Sequence, residues 1–200
     1  MIKCNVTVNG VISRAASMRT SKEGKAFISF AVKVNVSSKD GNSSKVVEVS
    51  VLQEGDNNEL AQYSSSKRVE LKGSLTFRKR ESNFYFNFHA DSVDFSPVNN
   101  QDGIVGSMEF KGTVGKQIDK KTDKKGRKYL IFSAFSTEKD GDTFEYTWVR
   151  FVRFAPEQEA FLIPKGKIHI HGTLELSIYQ DKINLGCRAE EINEWGKQDA

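Results

Sequence analysis

The chain has 200 residues, 30 of them Lys or Arg and 26 Asp or Glu, for a formal net charge of +4. Its 38% hydrophobic residues suffice for the core of one domain or two small ones, which excludes a chain disordered throughout. No run of about 18 apolar residues offers a membrane helix, the start Met1-Ile2-Lys3-Cys4 lacks a signal-peptide pattern, and two cysteines, Cys4 and Cys187, make neither a disulfide framework nor a CxxC zinc site. A soluble cytoplasmic protein without membrane attachment or cofactor is expected.

Elements follow in chain order. Ile2, Cys4, Val6, Val8, Gly10 and Ile12 alternate with Lys3, Asn5, Thr7 and Asn9, the period-two signature of a half-buried strand. After the turn Lys22-Glu23-Gly24-Lys25, a second strand turns Ala26, Ile28, Phe30, Val32 and Val34 inward and Phe27, Ser29, Ala31 and Lys33 outward. A third places Val47, Val49 and Val51 on the core side. A short helical stretch is predicted over 56–63, then strands over 69–80 and 83–95.

The same landmarks then return, so the chain is one unit written twice. Gly10 corresponds to Gly112 and Phe27-Ile28-Ser29-Phe30 to Tyr129-Leu130-Ile131-Phe132, both 102 residues on. The turns Lys39-Asp40-Gly41 and Lys139-Asp140-Gly141 are 100 apart, and Gly73 and Gly172 are 99 apart. Small deletions in loops explain the drift. Residues 1–96 and 107–195 are the two predicted domains, 97–106 a turn-rich linker, and 196–200 a short tail. In the second copy the helix is predicted to begin at Ala155-Pro156-Glu157, with Pro in a first-turn position. The expected fold is all-β: two tandem five-stranded Greek-key barrels of the OB type, each with a short helix between strands three and four.

Function is sought on the outward faces. In the second copy that face of strand three carries Tyr146, Trp148, Arg150, Val152 and Phe154. Exposed rings interleaved with cations suit stacking of unpaired bases and contact with phosphates. Tyr179 and Lys182 repeat the pairing on the last hairpin, and Lys111 to Lys128 holds eight basic residues, Lys125 and Arg127 among them, beside the row. In the first copy Glu48, Ser50 and Glu54 stand where the second has Trp148, Arg150 and Phe154, so this copy is expected either to contribute through Phe27, Lys33, Arg78 and Arg80 or to serve as an assembly surface. His169 and His171 share a strand face, but no third ligand is evident. No phosphate loop or nucleophile elbow appears, so a non-enzymatic protein is expected.

These residues resemble the bacterial single-stranded DNA-binding proteins of the SSB type. The resemblance rests on Gly24-Lys25-Ala26-Phe27, Leu60-Ala61-Gln62-Tyr63, Lys67 to Leu75 and Arg78-Lys79 in the first copy, and on Trp148-Val149-Arg150-Phe151-Val152-Arg153-Phe154 in the second. There the family has a Trp and, six residues on, a Phe that stack bases. A further family Trp corresponds to Tyr179 and Arg80. The resemblance implies largely sequence-independent binding of single-stranded DNA during replication, recombination, repair or transfer, and a homodimer supplying four OB domains. The family's acidic tail with its apolar tip is not matched by Glu194 to Ala200. Two readings stand beside it: an OB-based protein-interaction module of a primosome or recombination apparatus, and a single-stranded RNA binder.

Overall fold

The computed structural model describes residues 1–38, 41–80, 83–140, 142–155 and 157–196, apart from the side chains of 79, 80, 83 and 140. Ten strands account for most of them: β1 (Ile2–Thr20), β2 (Ala26–Ser37), β3 (Ser44–Glu54), β4 (Arg68–Arg80), β5 (Asn83–Asp94), β6 (Gly103–Thr122), β7 (Lys128–Asp140), β8 (Thr143–Phe154), β9 (Lys167–Tyr179) and β10 (Lys182–Glu194). The chain divides into two compact units, one of Cys4–Gly106 with Gln180–Ile183, the other built on Ser107–Tyr179 and the stretch from Asn184, joined by Met1–Lys3.

In the first unit the strand order is β2-β3-β5-β4-β1, and a further β1–β2 pairing closes it into a barrel. All its neighbours are antiparallel except β3 and β5, which run parallel from Val49 opposite Phe86 to Gln53 opposite Ala90. The second unit repeats this as β6-β7-β8-β10-β9, closed by β6–β9, with β8 and β10 parallel. Five strands in this Greek-key order make each unit an OB-type barrel, as the sequence predicts.

The repeated glycines are places where backbones nearly touch. β1 pairs with β4 as far as Val11 and with β2 from Val11 onward. At that change of partner a Cβ on Gly10 would lie 2.5 Å from the Lys33 carbonyl oxygen. Gly112 meets Phe135 in the same way, at 2.3 Å. No larger residue fits there, which is why these landmarks survive in both copies.

Each core follows the predicted parity with two exceptions on β2, where Ala26 at the strand start is exposed and Ala31 is buried. Val49 and Val51 are buried in the first unit, and Val149 and Phe151 in the second. Phe30 packs on Tyr63 with ring centroids 4.9 Å apart; Phe132 stacks on Phe151 at 5.2 Å. Between β3 and β4, Asn57–Gln62 is a single 3-10 helix rather than an α-helix. Asp56 caps it, accepting the Asn58 N–H at 2.8 Å, while Glu59 accepts the Asp56 N–H at 3.2 Å.

The second copy departs from the prediction here: among the described residues between β8 and β9 there are turns and no helix. Ala155, which corresponds to Asp56, has no side-chain acceptor for a helix N-terminus. Glu159 is held instead by Arg153, at 3.1 Å and 3.2 Å. Leu162 is nonetheless fully buried, as Tyr63 is in the first unit. Both loops therefore place one large side chain in the core with or without a helix. The predicted linker is also shorter than 97–106: β6 begins at Gly103, and Asp102 is tied to Arg68 at 2.8 Å and accepts the Asn35 N–H at 2.8 Å. No described helix is long and apolar enough to cross a membrane.

Candidate functional site

β8 turns Thr147, Val149 and Phe151 inward, so alternation leaves Tyr146, Trp148, Arg150 and Phe154 on the outer face. The three rings are 50%, 50% and 43% exposed, so a large part of each lies open to solvent. β7 supplies the other half of the face, because antiparallel register puts Phe135 opposite Trp148, Ser133 opposite Arg150, Ile131 opposite Val152 and Tyr129 opposite Phe154. Phe135 touches both neighbours, its centroid 5.0 Å from that of Trp148 and 5.6 Å from that of Tyr146. Tyr129 and Phe154 pair at 5.3 Å. Two aromatic clusters thus flank a centre carrying Arg150.

Trp148 has a platform of its own. A Cβ on Gly115 would lie 3.2 Å from Trp148 Cζ3, so glycine lets the indole settle against β6. At the other end the β6–β7 turn delivers Arg127, whose guanidinium carbon lies 5.0 Å from the Phe154 centroid. Asp123 holds that turn by accepting the backbone N–H groups of Lys125 at 2.9 Å and Arg127 at 2.8 Å, and Arg127 Nε–H at 2.7 Å. The Arg127 backbone N–H is the main cause, with its guanidinium and the Lys125 N–H, of an Asp123 carboxyl held below its usual range. Lys125 is exposed in the same turn. Tyr129 also lines a cleft of about 540 Å³ together with Lys120, Lys121, Lys128, Glu157 and Gln158.

The structure therefore unites Tyr129, Tyr146, Trp148, Arg150, Phe154 and Arg127. It does not add Tyr179, which is 68% exposed at the end of β9, with β10 between that strand and β8. Phe27 and Lys33 lie on the outer face of β2, opposite Glu54 and Glu48 respectively, and Arg78 is exposed on β4 opposite Tyr85. These three belong to the first unit. The Arg80 side chain lies outside the described residues. Phe135 was missed by sequence reasoning, although its parity with Tyr129 along β7 was the available signal.

The equivalent corner of the first unit has the same backbone and opposite chemistry. Ser21 takes the place of Asp123, accepting the N–H groups of Glu23 at 3.3 Å and Lys25 at 3.1 Å. Gly24 and Gly126 take matching φ values of 82° and 79°. Where Arg127 covers Phe154, Lys25 pairs with Glu54 at 3.7 Å. Ser13 donates to Glu48, the residue that corresponds to Trp148, at 3.2 Å.

No protein-family profile matches the chain, and no curated protein matches it in sequence. Among solved structures it is similar to the wild-type single-stranded DNA binding protein from Thermus aquaticus, at 14% identity and TM-score 0.48, covering 97% of this chain and 93% of that one. A deletion variant of that protein gives 13% identity and TM-score 0.49, covering 97% and 95%. The small single-stranded DNA-binding protein from Streptomyces coelicolor gives 13% and 0.37, covering 48% of this chain and 94% of that one.

Proposed function

We propose that this protein binds single-stranded DNA without enzymatic turnover and with little sequence preference, the second barrel supplying the principal surface. The observation that carries the reading is the continuous outer face of β7 and β8, where half-exposed Tyr146, Trp148 and Phe154 alternate with Arg150 and pair with Phe135 and Tyr129. Rings of this kind stack on any base, and Arg150, Arg127, Lys125 and the lysines of the adjoining cleft attract the phosphates between. In OB-type barrels the face of the second and third strands and the neighbouring loops are the usual ligand surface, and β7 and β8 are those strands here. Tyr179, on the far side of β10 from that face, offers a separate exposed ring. Phe27, Lys33, Arg78 and Arg80 are weaker contributors from the first unit. A homodimer of four barrels would present two such faces, one from each second barrel.

The test is fluorescence anisotropy of a labelled oligo-dT titrated with the full chain. Stacking is worth about 1–3 kcal/mol per base, so Trp148→Ala lowers affinity about 5- to 150-fold. Arg150→Ala weakens binding and reduces the salt slope by about 1. Equal affinity of all three proteins contradicts the reading. Competition with oligo-U separates DNA from RNA, and light scattering of the chain gives its assembly state.

A second reading applies to the first unit alone. Glu48 and Glu54 on its equivalent face repel phosphates, while Val46 and Leu52 on that face are 61% and 42% exposed. Carboxylates with apolar neighbours suit contact with protein rather than nucleic acid.

A further inference from the structure

Away from the aromatic row, the β6–β9 seam of the second barrel brings a carboxylate, Glu109, to a pair of histidines about 60 residues further along the chain. His169 and His171 lie on one face of β9, their ring centroids 4.6 Å apart. Antiparallel register sets Glu109 of β6 directly opposite His171, with Lys111 opposite His169. Glu109 Oε1 is 2.9 Å from His169 Nε2. One donor atom from each of the three lies within 4.8 Å of the others. No third donor is evident beside the histidine pair in the sequence; Glu109 reaches it from the neighbouring strand.

We propose that Glu109, His169 and His171 form a binding site for a divalent transition-metal ion of the Zn²⁺ class. Three donors at about 2.0–2.2 Å from one centre stand about 3–4 Å from one another, so modest rotation of the exposed His171 ring converts the observed spacing into a coordinating one. Two imidazole nitrogens and one carboxylate oxygen match Zn²⁺, Ni²⁺ or Cu²⁺, whereas Ca²⁺ and Mg²⁺ require mostly oxygen donors. A fourth position stays open to water. His169 and Glu109 are half-buried and mutually oriented, which reduces the ordering the ion must impose. Competition within the chain is small, because His89 is the only other histidine and both cysteines are buried. The ion would clasp β6 to β9, the pairing that closes the barrel.

The site does not depend on nucleic-acid binding, and its test uses none. The full chain without an affinity tag is titrated with Zn²⁺ by calorimetry, and with Co²⁺ by visible absorption. One ion per chain is expected, with d–d bands of a low-coordinate Co²⁺ site, and the thermal midpoint rises with free Zn²⁺. His171→Ala and the near-isosteric Glu109→Gln each weaken Zn²⁺ binding about tenfold or more, and the double variant His169→Ala/His171→Ala abolishes the rise in midpoint. Circular dichroism confirms that each variant is folded. The proposal is overturned if the native chain binds no ion, or if the double variant binds with native affinity and stoichiometry.

Discussion

Single side chains set the local chemistry of the second barrel. Asp123 organises a turn with three accepted hydrogen bonds and so fixes where Arg127 stands over Phe154. Its carboxyl is held below the usual value of 3.8, so the order it confers is complete above that value and is lost as pH falls through the lower, folded one. Replacing Asp123 by Ala is expected to open the turn at neutral pH, and limited trypsin digestion reads this as faster cleavage at Lys124 and Lys125. An unchanged digestion rate contradicts the assignment. Cys187 behaves oppositely: burial, aided by the charges of Glu175 and Glu190, pushes its thiol up to about 12. Its contribution to stability is complete below the ordinary thiol value of 9.0 and declines as pH rises toward 12. Cys4 and Cys187 are each 1% exposed, so neither reacts with Ellman's reagent in the native protein near neutral pH, and both react once it is unfolded in urea. Rapid native labelling contradicts this.

At the scale of elements, strand crossings and loop plugs carry the fold. A Cβ on Gly172 would lie 2.2 Å from the Arg188 carbonyl oxygen and 2.8 Å from Cys187 Sγ; at the equivalent Gly73 the His89 carbonyl oxygen is 2.1 Å away. Backbone atoms cannot yield cheaply, so Gly172→Ala is expected to cost about 3 kcal/mol, read as a lower urea midpoint. A midpoint equal to that of the native chain contradicts the close packing. These elements were legible because two signals agree: period-two burial along β1, β2 and β3, and glycines recurring near the same spacing. A helix was wrongly expected in the second copy on the strength of Pro156, which lies outside the described residues; Ala155 lacks the cap that Asp56 provides, and the described residues there form turns. Glu109 was not legible as a partner of His169 and His171, because parity within one strand says nothing of register with a strand 60 residues away.

Over the whole molecule, one fold written twice has diverged in its outer faces. Glu48 opposite Lys33, and Glu54 opposite Phe27, stand where the second barrel has Trp148 opposite Phe135 and Phe154 opposite Tyr129. The replacements were readable from sequence displacement alone; that both pairs lie in the same register needed the structure. If the first face disfavours phosphate, Glu48→Lys with Glu54→Lys strengthens oligo-dT binding at low salt and steepens its salt dependence by about 1–2 in slope. No change in either indicates that the strand does not approach this face. The central claim is that bases stack on the second barrel, and intrinsic tryptophan fluorescence tests it most directly. Trp148 and Trp195 are the two tryptophans, and the Trp195 ring is covered by Lys167, its Nζ 5.5 Å from the centroid. Titration with oligo-dT is predicted to quench the native chain strongly at low salt and less at high salt, and to leave Trp148→Ala nearly unchanged. A native chain that is folded yet unquenched at low salt, or a variant quenched as strongly as the native protein, would contradict it.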